Sequence, residues 1–174
     1  MMNVQTLKEK ITHKHILLDT GIFSRAFDHF DSFKPLFQLL NETNCQAAYF
    51  PLIKFELLRD VFINDNRIKR QLFVEEMTRV NLPIPPNLFD RAISFANEYA
   101  EHQVKSASLV DCCIAAYLEK YSDNLFLITL NHKDFPTFLF DRLFVMPIDT
   151  DKDIFTLGFY VFNKEKAKQL GMLT

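Results

Sequence analysis

Four carboxylates stand where apolar runs of the chain turn out of a strand or into a helix: Asp19, Glu56, Asp111 and Asp134. Asp19 closes HILLD, Glu56 lies in PLIKFELLRD, Asp111 opens DCCIAAYLEK, and Asp134 follows LFLITL in LFLITLNHKDF. Segments far apart in sequence each deliver one acid to an element end, so a rigid core can bring the four together. An all-oxygen, anionic set of this kind suits a hard divalent cation. Such an ion is a Lewis acid that can activate a bound water.

Each acid taken alone has a plainer reading. Asp19 fits a turn at a strand end, Asp134 a turn before Pro136, and Asp111 the acidic partner of a helix cap at Ser108. Glu56 fits a solvated helix residue paired with Arg59 at i+3. The four together, in this order, point to a site. Asp60, one turn after Glu56, is its rival. Thr20, Thr129 and Asn131 lie beside the acids and have hydroxyl and amide groups that can hold them, or that satisfy loop backbone instead.

Composition narrows the field. The chain has 174 residues, 48% of them hydrophobic and 14% aromatic, which is enough for one domain with a single core. A net charge of -2 argues against attachment to nucleic acid by bulk positive charge, so any such contact must be local. Cys45, Cys112 and Cys113 lack zinc-like spacing and form no disulfide framework, which suits a reducing cytoplasm. His13 and His15 alternate, but nothing nearby completes a zinc ligand set. MMNVQTLKEK has no signal-peptide core, and no apolar run reaches the about 20 residues that span a bilayer. The expectation is a soluble cytoplasmic protein with no membrane partner. Gly21, Gly158 and Gly171 are too few and too scattered for a Walker loop or a GxGxxG turn, and GxSxG is missing.

The elements that must position the acids alternate in type. LKEKITHK reads as a polar lead-in, and HILLD as a buried strand. TGIFSRAFDHFDSFKPLFQLLNET predicts two helical pieces broken near Pro35. CQAAYF is a strand, and Pro51 starts the helix that carries Glu56. NDNRIKRQLFVEEMTRV and PNLFDRAISFANEYAEH are further amphipathic helices, separated by NLPIPP. Ser108-Leu109-Val110-Asp111 matches a capping box, placing Asp111 in the first turn of the helix SLVDCCIAAYLEKY. LFLITL and RLFVMPI are strands. This alternation predicts an α/β fold, a central and mainly parallel sheet with helices on both faces, because parallel neighbours need crossovers. Ligands of such sheets gather beyond the carboxyl ends of the strands, where Asp19 and Asp134 would face one crevice.

At these residues the chain resembles the PIN-domain nucleases, in particular the VapC-type toxins. The resemblance rests on Asp19-Thr20 after the first strand, Glu56-Leu57 in the helix after the second, Asp111 in DCCIAA, and TLNHKDF with Thr129, Asn131 and Asp134. VNLPIPPNLFDRAISFANEYAEH resembles the family's helical approach to the third acid, and the likeness runs from His15 to near Asp149. It implies a three-layer α/β/α sandwich and metal-dependent endonucleolytic hydrolysis of RNA, leaving 5′-phosphate and 3′-hydroxyl ends. By resemblance Asp19 and Asp111 are the main ligands of Mg²⁺ or Mn²⁺, Asp134 helps to hold a metal, and Glu56 binds directly or through water. Arg25 and Lys133 then become phosphate contacts or ordinary solvated charge. Arg67, Lys69 and Arg70 become a guide for RNA or a wet helix face.

The chain departs from the family in places. Pro51-Leu52 stands where VapC-type toxins often have Ser or Thr. The lead-in before His15 and the tail beyond Asp149 are not part of the usual short toxin, although 1–174 reads as one domain. FTLGFYVF suggests a terminal hairpin around Gly158 or a partner surface. Of the 19 phenylalanines, Phe30, Phe33, Phe37, Phe62 and Phe73 fall in helices that in the family pair with a second copy or an antitoxin, with plain core packing as the alternative. Three functions follow: a ribonuclease toxin held by an antitoxin, a housekeeping RNA-processing nuclease, or a PIN-like domain that binds RNA or protein without cleaving.

Overall fold

Short apolar runs become strands, and the length of each connection decides their direction. The computed structural model describes residues 2–59 and 61–173. Asp60, the rival to Glu56, lies outside the described residues. Strands β1 (His15–Leu18), β2 (Gln46–Tyr49), β3 (Val80–Asn81) and β4 (Leu125–Thr129) are mutually parallel, each reached through at least one helix. β5 (Phe140–Asp149) and β6 (Ile154–Phe162) are joined by a tight turn in which Thr150 N–H donates to the Asp153 carbonyl at 2.9 Å. A turn that short can only join antiparallel neighbours.

Among the described residues one six-stranded sheet runs β3-β2-β1-β4-β6-β5, with β6 antiparallel to both β4 and β5. The expectation of a mainly parallel sheet is therefore corrected to a mixed one, four parallel strands continued by an antiparallel ribbon. The expected hairpin around Gly158 is also corrected, because β6 runs straight through that residue. Glycine is needed there for space: a Cβ would collide with the Tyr160 ring and come 2.8 Å from the His132 ring. β6 is no appendage. Leu157 and Phe159 are fully buried between β4 and β5.

Eight helices accompany the sheet among the described residues: α1 (Val4–Ile11), α2 (Thr20–Asp28), α3 (Phe30–Glu42), α4 (Pro51–Arg59), α5 (Asn64–Met77), α6 (Leu88–Glu101), α7 (Leu109–Lys120) and α8 (Lys164–Gln169). The polar lead-in is in fact α1. Asn3 caps it by accepting from Thr6 N–H at 2.9 Å, and Leu7 and Ile11, four residues apart, are fully buried. The core thus takes in residues on both sides of the 15–149 span. The break in the second helical region falls at His29, not at Pro35. His29 leaves helical geometry at φ -136°, ψ 48°, and Pro35 continues inside α3 at the cost of one backbone donor. α7 is buried along its whole middle, from Asp111 to Leu118, so the acid at its first turn sits deep in the fold. Among the described residues no helix is long and apolar enough to cross a membrane.

Candidate functional site

The parallel strands β1 and β4 pair in register from His15↔Leu125 to Leu18↔Ile128, so they end together. Asp19 is the next residue after β1, and its N–H still donates to the Ile128 carbonyl at 3.1 Å. Its carboxylate is held on both oxygens, by Thr20 N–H at 2.7 Å and by Thr129 Oγ1 at 2.6 Å. Asp19 also caps α2. Thr20 Oγ1 reaches the other way and donates to Glu56 Oε2 at 2.6 Å, tying the end of β1 to α4. As expected, α4 begins at Pro51, immediately past β2, which brings Glu56 to the same edge in the second helical turn.

Asp111 arrives from the opposite direction. The capping box predicted at Ser108 forms: Asp111 N–H donates to Ser108 Oγ at 3.2 Å, and Asp111 Oδ2 accepts from both Ser108 N–H and Ser108 Oγ at 2.7 Å. The start of α7 is thereby fixed with its acid facing the strand ends. Asp19, Glu56 and Asp111 share the wall of one open cleft of about 540 Å³. Thr20, Ser106, Ser108 and Asn131 complete its polar lining, with Gly21 and Leu130 beside them.

Asp134 occupies a different tier. It is fully buried and is not on the cleft wall. Its carboxylate accepts from Ser106 Oγ and from Asn131 Nδ2, two residues that do line the cleft. Asn131 is itself placed by Thr129, whose Oγ1 accepts its N–H at 2.8 Å. Thr129 and Thr20 therefore act as supports for the acids. Ser106 does not stand out in the sequence. The polar loop KSAS ahead of the capping box is the only trace of its role.

Arg25 is not brought to the cleft wall. Its guanidinium lies 5.0 Å over the ring of Phe155, on β6. Arg70 is engaged locally, donating to Ser24 Oγ and Asp28 Oδ1 at 3.3 Å each and lying 5.0 Å over Phe27, while Arg67 and Lys69 are exposed on α5. Lys133 is exposed beside the buried Asp134. The phenylalanines divide. Phe33 is fully buried, Phe30 stacks on Phe37 at 5.6 Å, and Phe73 packs on Phe27 at 5.5 Å. Phe62 lies between α4 and α5, not in a helix, and is 94% exposed.

Burial is costly for Asp19 and Asp111, and its effect is visible in their proton affinity. Asp19 is pushed up to about 7, first by burial, which the Thr129 hydrogen bond opposes, and then by the charge of Asp111 and of Glu56. Asp111 is also raised, by burial first and then by Asp134 and Glu56 against the pull of its bonds from Ser108. Among the described residues, the donors to the four carboxylates are hydroxyls, backbone N–H groups and one side-chain amide, none of them positively charged. Tyr99 Oη adds a further signal that is invisible in the sequence. It is buried with no hydrogen-bond partner among the described residues and lies in electrostatic reach of Asp111 and Asp134.

Among the described residues no three His, Cys, Asp or Glu side chains are grouped tightly enough to hold a metal ion as they stand. Each acid is instead held by its own neutral donors. The donor chemistry nevertheless fits a hard divalent cation: three cleft-facing carboxylates, oxygen only, mutually repelling and held by neutral groups. Asp19, Asp111 and Glu56 line the cleft and are the residues that could hold such an ion after a shift of their side chains, with Asp134 behind them. Comparison of the chain with protein-family models, curated proteins and solved structures finds no match.

Proposed function

We propose that the chain is a metal-dependent endoribonuclease with a PIN-like, three-layer α/β/α arrangement, working at the acidic cleft. The observation that carries the reading is the convergence of Asp19, Glu56 and Asp111 on one cleft at the strand ends, with Asp134 behind and only neutral donors among their described hydrogen bonds. Anionic groups held together at that cost are expected where a cation belongs.

A Mg²⁺ or Mn²⁺ ion, when bound, supplies Lewis-acid activation of water and offsets charge on the phosphodiester. The chain's own residues do the rest. Thr129 and Thr20 hold the Asp19 carboxylate in one orientation, and Thr20 fixes Glu56 relative to it. The Ser108 cap engages Asp111 through Oδ2 and leaves Oδ1 for the ligand side of the group. Asn131, exposed at the rim and bonded to Asp134, is placed to meet a backbone phosphate or sugar. Leu130 and Gly21 give the cleft a small apolar floor on which a base or ribose can rest.

The biological setting proposed with it is that of a toxin kept silent by an antitoxin that covers the cleft. A housekeeping RNA-processing role is the alternative for the same chemistry.

Purified protein incubated with a structured RNA pool and Mg²⁺ or Mn²⁺ tests the chemistry. Cleavage that leaves 5′-phosphates, stops with EDTA and is lost in Asp111→Asn is the expected result. A folded Asp111→Asn variant that cuts as well as wild type would remove the acids from the mechanism. Growth arrest on expression of wild type, absent with Asp19→Asn, separates the toxin from the housekeeping enzyme.

A further inference from the structure

The loop between β4 and Phe135 carries Asn131 and Asp134, yet its own backbone holds it weakly. One backbone hydrogen bond spans it, from Asp134 N–H to the Asn131 carbonyl, and that bond is long at 3.4 Å. Asp134 and Phe135 anchor one end by burial. At the other end the Thr129 side chain takes the Asn131 N–H. The middle of the loop is fastened by His132, and the hydrogen-bond partners of His132 all lie on β6.

The imidazole is bonded on both nitrogens. Nε2 lies 3.0 Å from the Thr156 carbonyl and 3.1 Å from Thr156 Oγ1, and Nδ1 lies 2.8 Å from Tyr160 Oη. A carbonyl only accepts, so Nε2 carries a proton, and in the neutral ring Nδ1 then accepts from the Tyr160 hydroxyl. Tyr160 is 2% exposed and is fixed in turn by the Phe135 ring at 6.0 Å. The histidine thus spans from Thr156 to Tyr160 across Gly158. That crossing is possible only because Gly158 has no side chain to fill the space. Gly158 is also the register partner of Thr129, the residue that holds Asp19.

We infer that the β6 ribbon is a working part of the cleft: the Thr156–His132–Tyr160 clamp over Gly158 is the device that positions Asn131 and Asp134. His132 is a positioning residue and touches no substrate. Its reach is short and specific. Asn131 is its neighbour in the chain, and Asn131 Nδ2 is one of the two donors to Asp134. Release of the imidazole frees the Asn131 amide and leaves Asp134 with Ser106 alone, so the carboxylate behind the cleft is no longer fixed on both oxygens. The alternative, that the histidine only cements β6 onto the sheet, predicts a different pattern of damage. β6 is held to β4 and β5 by its own ladders and by buried Leu157 and Phe159, none of which needs His132.

The inference rests on the reading that the acidic cleft is the working site, and its test separates the two. His132→Phe keeps a flat ring over Gly158 and removes the hydrogen bonds of both ring nitrogens, and Tyr160→Phe removes only the hydroxyl. Hydrogen exchange of individual amides and Mn²⁺ affinity by electron paramagnetic resonance are measured on full-length protein. In His132→Phe, exchange at the Asn131 and Asp134 amides should rise about tenfold or more while β6 amides keep their protection. Mn²⁺ affinity should fall about tenfold, as when an outer partner of a ligand is lost, with Tyr160→Phe between the two. Unchanged exchange at Asn131 and Asp134, or a loss spread equally through β6, would overturn the clamp. Wild type that binds no Mn²⁺ would instead end the metal reading, and the exchange data alone would then decide whether the clamp exists.

Discussion

Thr129 Oγ1 donates to Asp19 Oδ2 at 2.6 Å across the paired ends of β4 and β1, joining residues 110 positions apart. The same oxygen accepts the Asn131 N–H, so one hydroxyl serves two parts of the cleft. Thr129→Val keeps the shape, strips Asp19 of one of its two donors and orphans the Asn131 N–H. It should cost about 1–3 kcal/mol of stability in urea unfolding. Asp19 should also take up its proton at a still higher pH. A fully stable Thr129→Val with unaltered Asp19 titration would mean that the hydroxyl is dispensable.

The ion-free protein should lose stability as pH rises. Asp19 holds its proton up to about 7 when folded, against an ordinary value of 3.8, so between those values the folded form binds the extra proton. Stability is then highest near pH 4 as far as this group decides, falls through pH 7, and is flat above. The full effect is on the order of 4 kcal/mol, and the raised Asp111 adds to it with the same sign. Asp19→Asn removes the Asp19 contribution. Thermal unfolding in EDTA from about pH 4.5 to 8 should show the variant gaining on wild type as pH rises, and parallel curves would contradict the assignment.

A divalent cation should reverse that penalty. At saturating Mn²⁺ and about pH 8 the melting temperature of wild type should rise by about 5 °C or more. The rise should shrink toward about pH 5.5, where protons compete for the same oxygens. Neither Asp19→Asn nor Asp111→Asn should respond fully. An equal rise in all three proteins would place the ion elsewhere.

Gly158→Ala tests the space over β6 without touching an acid. The added methyl meets the Tyr160 and His132 rings, so the variant should lose about 1–3 kcal/mol in chemical denaturation. Its remaining folded fraction should show His132 displaced, as a changed imidazole signal in NMR spectra.

The strands β1, β2, β4 and β5 and the three cleft-facing acids are legible because each is a local pattern: an apolar run, then a turn or cap, then an acid. The Ser108–Asp111 box is the clearest instance, since its four residues contain all the information that the geometry uses. Asp134 is legible as an acid near the site but not as a buried one, because its burial depends on Ser106, 28 residues away. β6 is hidden because a glycine within an aromatic run looks like a turn, whereas the space it provides is set by His132. Pro35 misleads in the same way, a local breaker overruled by tertiary context. Tyr99 gives no sign at all. In α6 it reads as one more apolar-face residue, and only the packed structure puts its hydroxyl near the acids.

The place of β6 has a consequence for the order of events during synthesis. A ribosome lays down every residue of the acidic cleft before it reaches the strand that fits between β4 and β5. Until then β4 offers a bare edge, β5 has no neighbour to pair with, and His132 has nothing to grip. The emerging chain can therefore pair β1 with β4, 110 positions apart, and bring its acids together before the His132 fastening exists, so the last support of the cleft is a late event.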